Sequence, residues 1–105
     1  MTALPVVYFL GLSGALLAVG VFGLLTRRNF ILILIAVEIA MNAAILNFVY
    51  FAAFAPTAQG LTGQAIAVVL IGFAATEVAV GLAIVLAVNR VKGTINVAQS
   101  TDLKL

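Results

Sequence analysis

Three long apolar runs, separated by two short polar interruptions, set the pattern of this chain. The first occupies about residues 5–25 and stops at the pair Arg27, Arg28. A connection over 26–29 leads into a second run over about 30–55. The stretch "APTAQGLTG", with Pro56, Gly60 and Gly63, reads as a turn, giving a loop over 56–63. A third run covers about 64–89, and a mixed polar tail, residues 90–105, follows it. Each run exceeds the ~20 apolar residues that a helix needs to cross a bilayer. None shows the alternation in segments of about ten residues that marks a barrel strand. The pattern therefore predicts an all-α integral membrane protein with three transmembrane helices in a single membrane domain. A cleavable signal peptide would require a basic start, and Met1 to Tyr8 carries no charge, so the first run is expected to remain as a span.

Composition narrows what such a bundle can do. The chain has 105 residues, 66% of them hydrophobic and 8% charged, so three spans leave no room for a separate catalytic module. It contains neither cysteine nor histidine, which removes thiolate and imidazole ligands and the usual proton shuttle. Five basic and three acidic residues are too few and too scattered for a nucleic-acid footprint. Their placement bears on topology instead. Arg27, Arg28, Arg90, Lys92 and Lys104 all fall in the first connection or the tail, which share one side of the membrane if there are three spans. The excess of Lys and Arg in cytoplasmic segments predicts an outer N-terminus and a cytoplasmic C-terminus. The tail from Thr94 onward is expected to be loosely ordered or to lie along a partner.

The candidate chemistry lies in two acids within the apolar runs. Glu38 is nine residues from Asn29, or ~13 Å from that edge at 1.5 Å per residue. Glu77 is thirteen residues from Arg90, or ~20 Å from the same edge. These depths predict an offset of ~6 Å between the two carboxyls if the second and third helices pack antiparallel. An ionised carboxylate deep in a bilayer costs a few kcal/mol or more, so each acid should face protein or a hydrated cavity. No basic residue of this chain lies deep enough to neutralise either one. Two acids at such depth suit a water-bridged proton relay, because each carboxyl takes up and releases one proton. Interhelical glue is the structural alternative.

The neighbours of the acids follow helical spacing. Asn42 lies one turn beyond Glu38 on the same face, flanked by Met41 and Ile45, whereas Asn47 points the opposite way. Asn42 can hold pathway water or simply hydrogen-bond a neighbouring helix. Thr76, next to Glu77, is a supporting polar position. Ala75, Ala79, Ala83 and Ala87 form a small-residue ladder turned away from Glu77, suited to close packing. Gly11 with Ala15, Gly14 with Ala18, and Gly20 and Gly23 read as packing positions in the first helix.

The segments "LLTRRNFILILIAVEIAMNAAILNF" and "AATEVAVGLAIVLAVNR" resemble the subunit K family of bacterial NADH:quinone oxidoreductase, respiratory complex I, whose mitochondrial counterpart is the small subunit 4L. The double arginine before the second helix, one Glu in each of the second and third helices, and the Asn after the first Glu carry the resemblance, which spans essentially the whole chain. It implies a multi-pass subunit of the bacterial inner membrane, within a proton-translocating enzyme, but with no redox or nucleotide site of its own. Flavin, iron-sulfur clusters and quinone are then expected on other subunits. The implied partners are the antiporter-like and quinone-side membrane subunits, with lipid around them. Glu38 and Glu77 match the glutamates of the hydrophilic axis that links quinone reduction to proton transfer. Arg27 and Arg28 match the arginine pair implicated in coupling or assembly, although a topology anchor explains them equally well.

Three other readings share part of the pattern. The small subunit of a multisubunit cation/proton antiporter has three similar spans, but "TRRN" and "TEVAVGL" favour the complex I family. A rotary ATPase proteolipid needs two or four spans. A small multidrug exporter needs four, with its acid in the first helix.

Overall fold

The computed structural model describes residues 5–93, which form three α-helices in an up-down-up arrangement. These are α1 (Val6–Thr26), α2 (Phe30–Ala53) and α3 (Thr57–Lys92), each long and apolar enough to cross a membrane. The expected tail from residue 94 onward, with Asp102 and Lys104, lies outside the described residues. The middle helix, α2, packs against α1 on one side and α3 on the other.

Local chemistry sets the helix ends. Asn29 caps α2: its side-chain oxygen accepts from the N–H groups of Ile31 at 2.8 Å and Leu32 at 3.4 Å, two donors that the first turn leaves free. Arg27, in extended geometry, ends α1 and donates its N–H to the Gly23 carbonyl. At the far end of α2, Pro56 disfavours helical geometry at the residue before it, and the helix stops at Ala53. Gly93 ends α3 in the left-handed region at φ 68°, which a residue without Cβ adopts freely. Arg90 and Lys92 in that last turn complement the negative end of the helix dipole.

One boundary differs from the sequence expectation. The 56–63 stretch is not a loop: α3 begins at Thr57, and the break between α2 and α3 is confined to Phe54–Pro56. Gly60 and Gly63, which read as turn residues, are packing residues. A Cβ on Gly60 would fall 2.8 Å from the Ala52 carbonyl oxygen, and one on Gly63 would fall 2.7 Å from the Ala52 Cβ. A glycine costs a helix about 1 kcal/mol relative to alanine. Here the close approach of two backbones offsets that cost.

The same device joins α1 to α2. A Cβ on Gly20 would meet the Ala36 carbonyl oxygen and the Ala40 N and Cβ at 2.9 Å, and one on Gly23 would meet the Ala36 Cβ at 2.8 Å. The covered face of α1 runs through Phe9, Ser13, Leu16, Gly20 and Gly23, with the 4-3-4-3 spacing of a left-handed helix pair. At the opposite end Phe9 stacks on Tyr50 with ring centroids 4.1 Å apart, and Phe51 and Phe54 flank the Tyr50 ring. Gly11 and Gly14 do not take part: nothing approaches their Cβ positions within 4 Å.

The ladder of Ala75, Ala79, Ala83 and Ala87 is likewise exposed; α3 turns Gly60, Ala67, Ala74 and Val85 inward instead. Among the described residues no large side chain is fully buried, and long apolar side chains such as Leu25, Phe22, Phe73 and Leu86 are mostly exposed. The outside of the bundle is thus apolar nearly everywhere, which suits lipid or neighbouring membrane helices rather than water.

Gly20→Ala should destabilise the chain by about 1–3 kcal/mol, because the added methyl meets backbone atoms that cannot rotate away. Gly72→Ala, whose Cβ meets nothing within 4 Å, should be neutral or slightly stabilising. Thermal unfolding in detergent, followed by the helical signal, checks both.

Candidate functional site

The packing glycines fix the register between α2 and α3. Ala52 lies against Gly60 and Gly63, and Leu34 lies against the Cβ position of Gly81. Antiparallel helices advance equally in opposite directions, so Glu38, four residues after Leu34, is level with Glu77, four residues before Gly81. The predicted offset of ~6 Å is therefore corrected to the same level. The physical reason is that α3 overshoots α2. Asn29 is level with about Leu86, so the helix continues for about six residues, or ~9 Å, past the start of α2. Measuring the depth of Glu77 from Arg90 counts that overhang as membrane.

Level placement does not give the two acids the same surroundings. Leu34 and Ala52, five full turns apart, mark the line of α2 that faces α3. At 3.6 residues per turn Glu38 is about 40° from that line and Asn42 about 80°. Glu38 is half-buried beside the seam. Its Oε2 is enclosed and meets no hydrogen-bond partner among the described residues. Asn42 is exposed, and among the described residues no hydrogen bond joins it to Glu38. The two share a side of α2, but the structure does not couple them directly.

Glu77 is exposed along the flank of α3 and lines an open groove of about 560 Å³ with Leu34, Phe73, Thr76, Val80, Gly81 and Ile84. Glu38 is not among the residues lining that groove. The Thr76 hydroxyl donates to the Gly72 carbonyl at 2.9 Å, so its proton is engaged within its own helix. Only its oxygen lone pairs remain to face the groove. Arg27 and Arg28 occupy the α1–α2 connection, at the same end of the bundle as Arg90 and Lys92.

Asn47 is the polar residue whose setting the sequence does not disclose. It does lie away from Glu38, yet it does not face open lipid. Its Oδ1 is enclosed without a partner among the described residues, and it borders a cleft of about 220 Å³ between α1 and α2 with Leu10, Ser13 and Gly14. Ser13 is buried there and donates to the Leu10 carbonyl at 3.1 Å. The available signal was spacing: Asn47 is seven residues beyond Ala40, two turns along the face that meets Gly20.

Comparison with known proteins bears on the chain as a whole rather than on these residues one by one. The family model described as NADH-ubiquinone/plastoquinone oxidoreductase chain 4L matches residues 8–105. The chain belongs to this family. Among its relatives, NADH-quinone oxidoreductase subunit K of Anaeromyxobacter sp. (strain K) is 46% identical over 94 residues, covering 90% of this chain and 92% of the relative. The subunit of the same name from Deinococcus radiodurans is 43% identical over 100 residues, with 95% and 94% covered. That of Leptospira biflexa is 38% identical over 104 residues, with 99% and 95% covered. As a member of the chain 4L family with three apolar spans, it is a multi-pass membrane protein.

Exposure separates the two acids experimentally. In the detergent-solubilised chain, which has no native cysteine, Glu77→Cys should react with a small maleimide several times faster than Glu38→Cys. Equal rates would contradict the seam placement of Glu38.

Proposed function

We propose that this chain is the subunit K component in the membrane arm of a proton-translocating NADH:quinone oxidoreductase, and that Glu38 and Glu77 are its proton-exchanging groups. The observation that carries the reading is the placement of two carboxyls at one depth near the middle of the bundle, on facing helices whose register is held by close backbone contacts. Each carboxyl binds one proton and passes one on, so a water or a third polar group between them completes a transfer step. The enclosed Oε2 of Glu38 supports this. An acceptor sealed without a donor costs about 1–3 kcal/mol, which water or a neighbouring subunit relieves in the assembled arm.

The division of labour in the proposal follows from residue chemistry. Glu38 lies beside the seam, so its surroundings change with any shift of α2 against α3. Glu77 faces outward along its groove, where a neighbouring subunit can approach. Asn42 and Thr76 supply polar surface to orient water near each acid. Arg27 and Arg28 anchor the cytoplasmic end, and the N-terminus lies outside. Hydride transfer and quinone reduction belong to other subunits, which carry flavin, iron-sulfur clusters and quinone. The antiporter-like and quinone-side membrane subunits pack around this chain.

In sealed inverted vesicles, Glu38→Gln and Glu77→Gln should each reduce NADH-driven proton uptake by roughly tenfold or more. NADH oxidation with an artificial electron acceptor should persist, and co-purification of each variant chain with that activity in mild detergent should report an assembled complex. Full proton uptake by both assembled variants would sink the relay and leave the acids as interhelical glue. For orientation, Thr26→Cys should be labelled by an impermeant thiol reagent from the cytoplasmic side only, and Ala58→Cys from the opposite side only.

A further inference from the structure

A groove on the basic end of the bundle has a composition that the proton chemistry does not use. Between α1 and α2 a cleft of about 160 Å³ is walled by Val19, Phe22, Gly23, Leu32, Ile35, Ala36 and Ile39, and Arg27 closes its upper end. Every wall residue is hydrocarbon or glycine, and the single polar contributor is the guanidinium of Arg27. Arg28 follows immediately, also exposed. Val19, Phe22, Leu32 and Ile35 are between 40 and 60% exposed, so the cleft is open along the side of the bundle rather than sealed within it.

From this combination we propose that the cleft is a binding site for one anionic phospholipid, with the phosphate on Arg27 and Arg28 and an acyl chain lying along the groove. The length scales agree. Arg27 ends the helix that spans the bilayer, so its guanidinium lies at headgroup depth, and the walls run from there toward the membrane centre on adjacent turns of both helices. Gly23 opens the cleft: it brings α1 close to Ala36 and leaves no side chain of its own between Val19 and Arg27. Arginine suits a phosphate because its planar fork donates two parallel hydrogen bonds. Basic pockets between membrane helices recognise anionic headgroups in the same way. A free phosphate would use only the arginines and none of the apolar wall, so the groove selects the lipid. The site rests on the three spans and the placement of Arg27, not on the proton role of Glu38 or Glu77.

The test uses the intact purified complex, with photoactivatable analogues of phosphatidylglycerol and phosphatidylcholine that carry the reactive group on the acyl chain. Phosphatidylglycerol should crosslink to peptides within residues 19–39 at least fivefold more than phosphatidylcholine. Arg27→Gln should bring the two lipids to equal, low labelling, whereas Arg27→Lys should retain part of the preference. Ile35→Trp, which fills the cleft without touching the charge, should lower labelling by both lipids and serves if Arg27→Gln does not assemble. Equal labelling by both lipids in the native complex, or labelling by phosphatidylglycerol that survives both Arg27→Gln and Ile35→Trp, would overturn the proposal. So would a photoreactive residue at position 35 that crosslinks to a neighbouring subunit instead of lipid, since a protein would then occupy the groove.

Discussion

The structure depends on how closely α2 is approached from its two sides. On one side Gly20 and Gly23 let α1 rest on Ala36 and Ala40; on the other Gly60 and Gly63 let α3 rest on Ala52. In a bilayer there is no difference in hydrophobicity to drive helices together, so association relies on packing contacts at short range. Those contacts are available only where side chains are absent. They act as fixed points along each helix, and between two fixed points the rigid rise of an α-helix leaves no freedom in the relative height of any pair of residues. The level alignment of Glu38 and Glu77 follows from Gly60 and Gly63 against Ala52, several turns away, and from Gly81 against Leu34, one turn from each acid.

The helical class and the span count are legible in the sequence because they depend on run length, a property of each segment by itself. α1 and α2 begin and end close to where their apolar runs do. The start of α3 is not legible in the same way. Proline, glycine and polar residues together are the usual marks of a turn, and only the position of Ala52 across the interface shows that Gly60 and Gly63 are there for contact. The overhang at the other end of α3 is equally non-local, since it exists only relative to α2. For the site, depth picked out Glu38 and Glu77 but could not order them. Helical spacing grouped Asn42 with Glu38 without revealing that one lies in the seam and the other outside it. Spacing from Ala40 places Asn47 on the face of α2 that meets α1, but its enclosure depends on Ser13 and Leu10 of that other helix.

The two acids illustrate how a small bundle divides surface between inner and outer duties. Glu38 belongs to an internal contact of the chain, and Glu77 to a groove that opens outward. Glu77 is open to whatever borders α3, whereas the surroundings of the half-buried Glu38 also change when α2 moves against α3. The close-packed glycines make such sliding discontinuous, because backbone atoms at contact distance resist small displacements.

The lack of any fully buried large side chain among the described residues also bears on how the protein persists in the membrane. A chain with almost no interior has little to distinguish its folded form from three separate inserted helices until other subunits cover it. The contacts that hold it together after insertion are the short-range ones at the glycines, and the cover for its apolar outside must come from lipid or from other membrane helices.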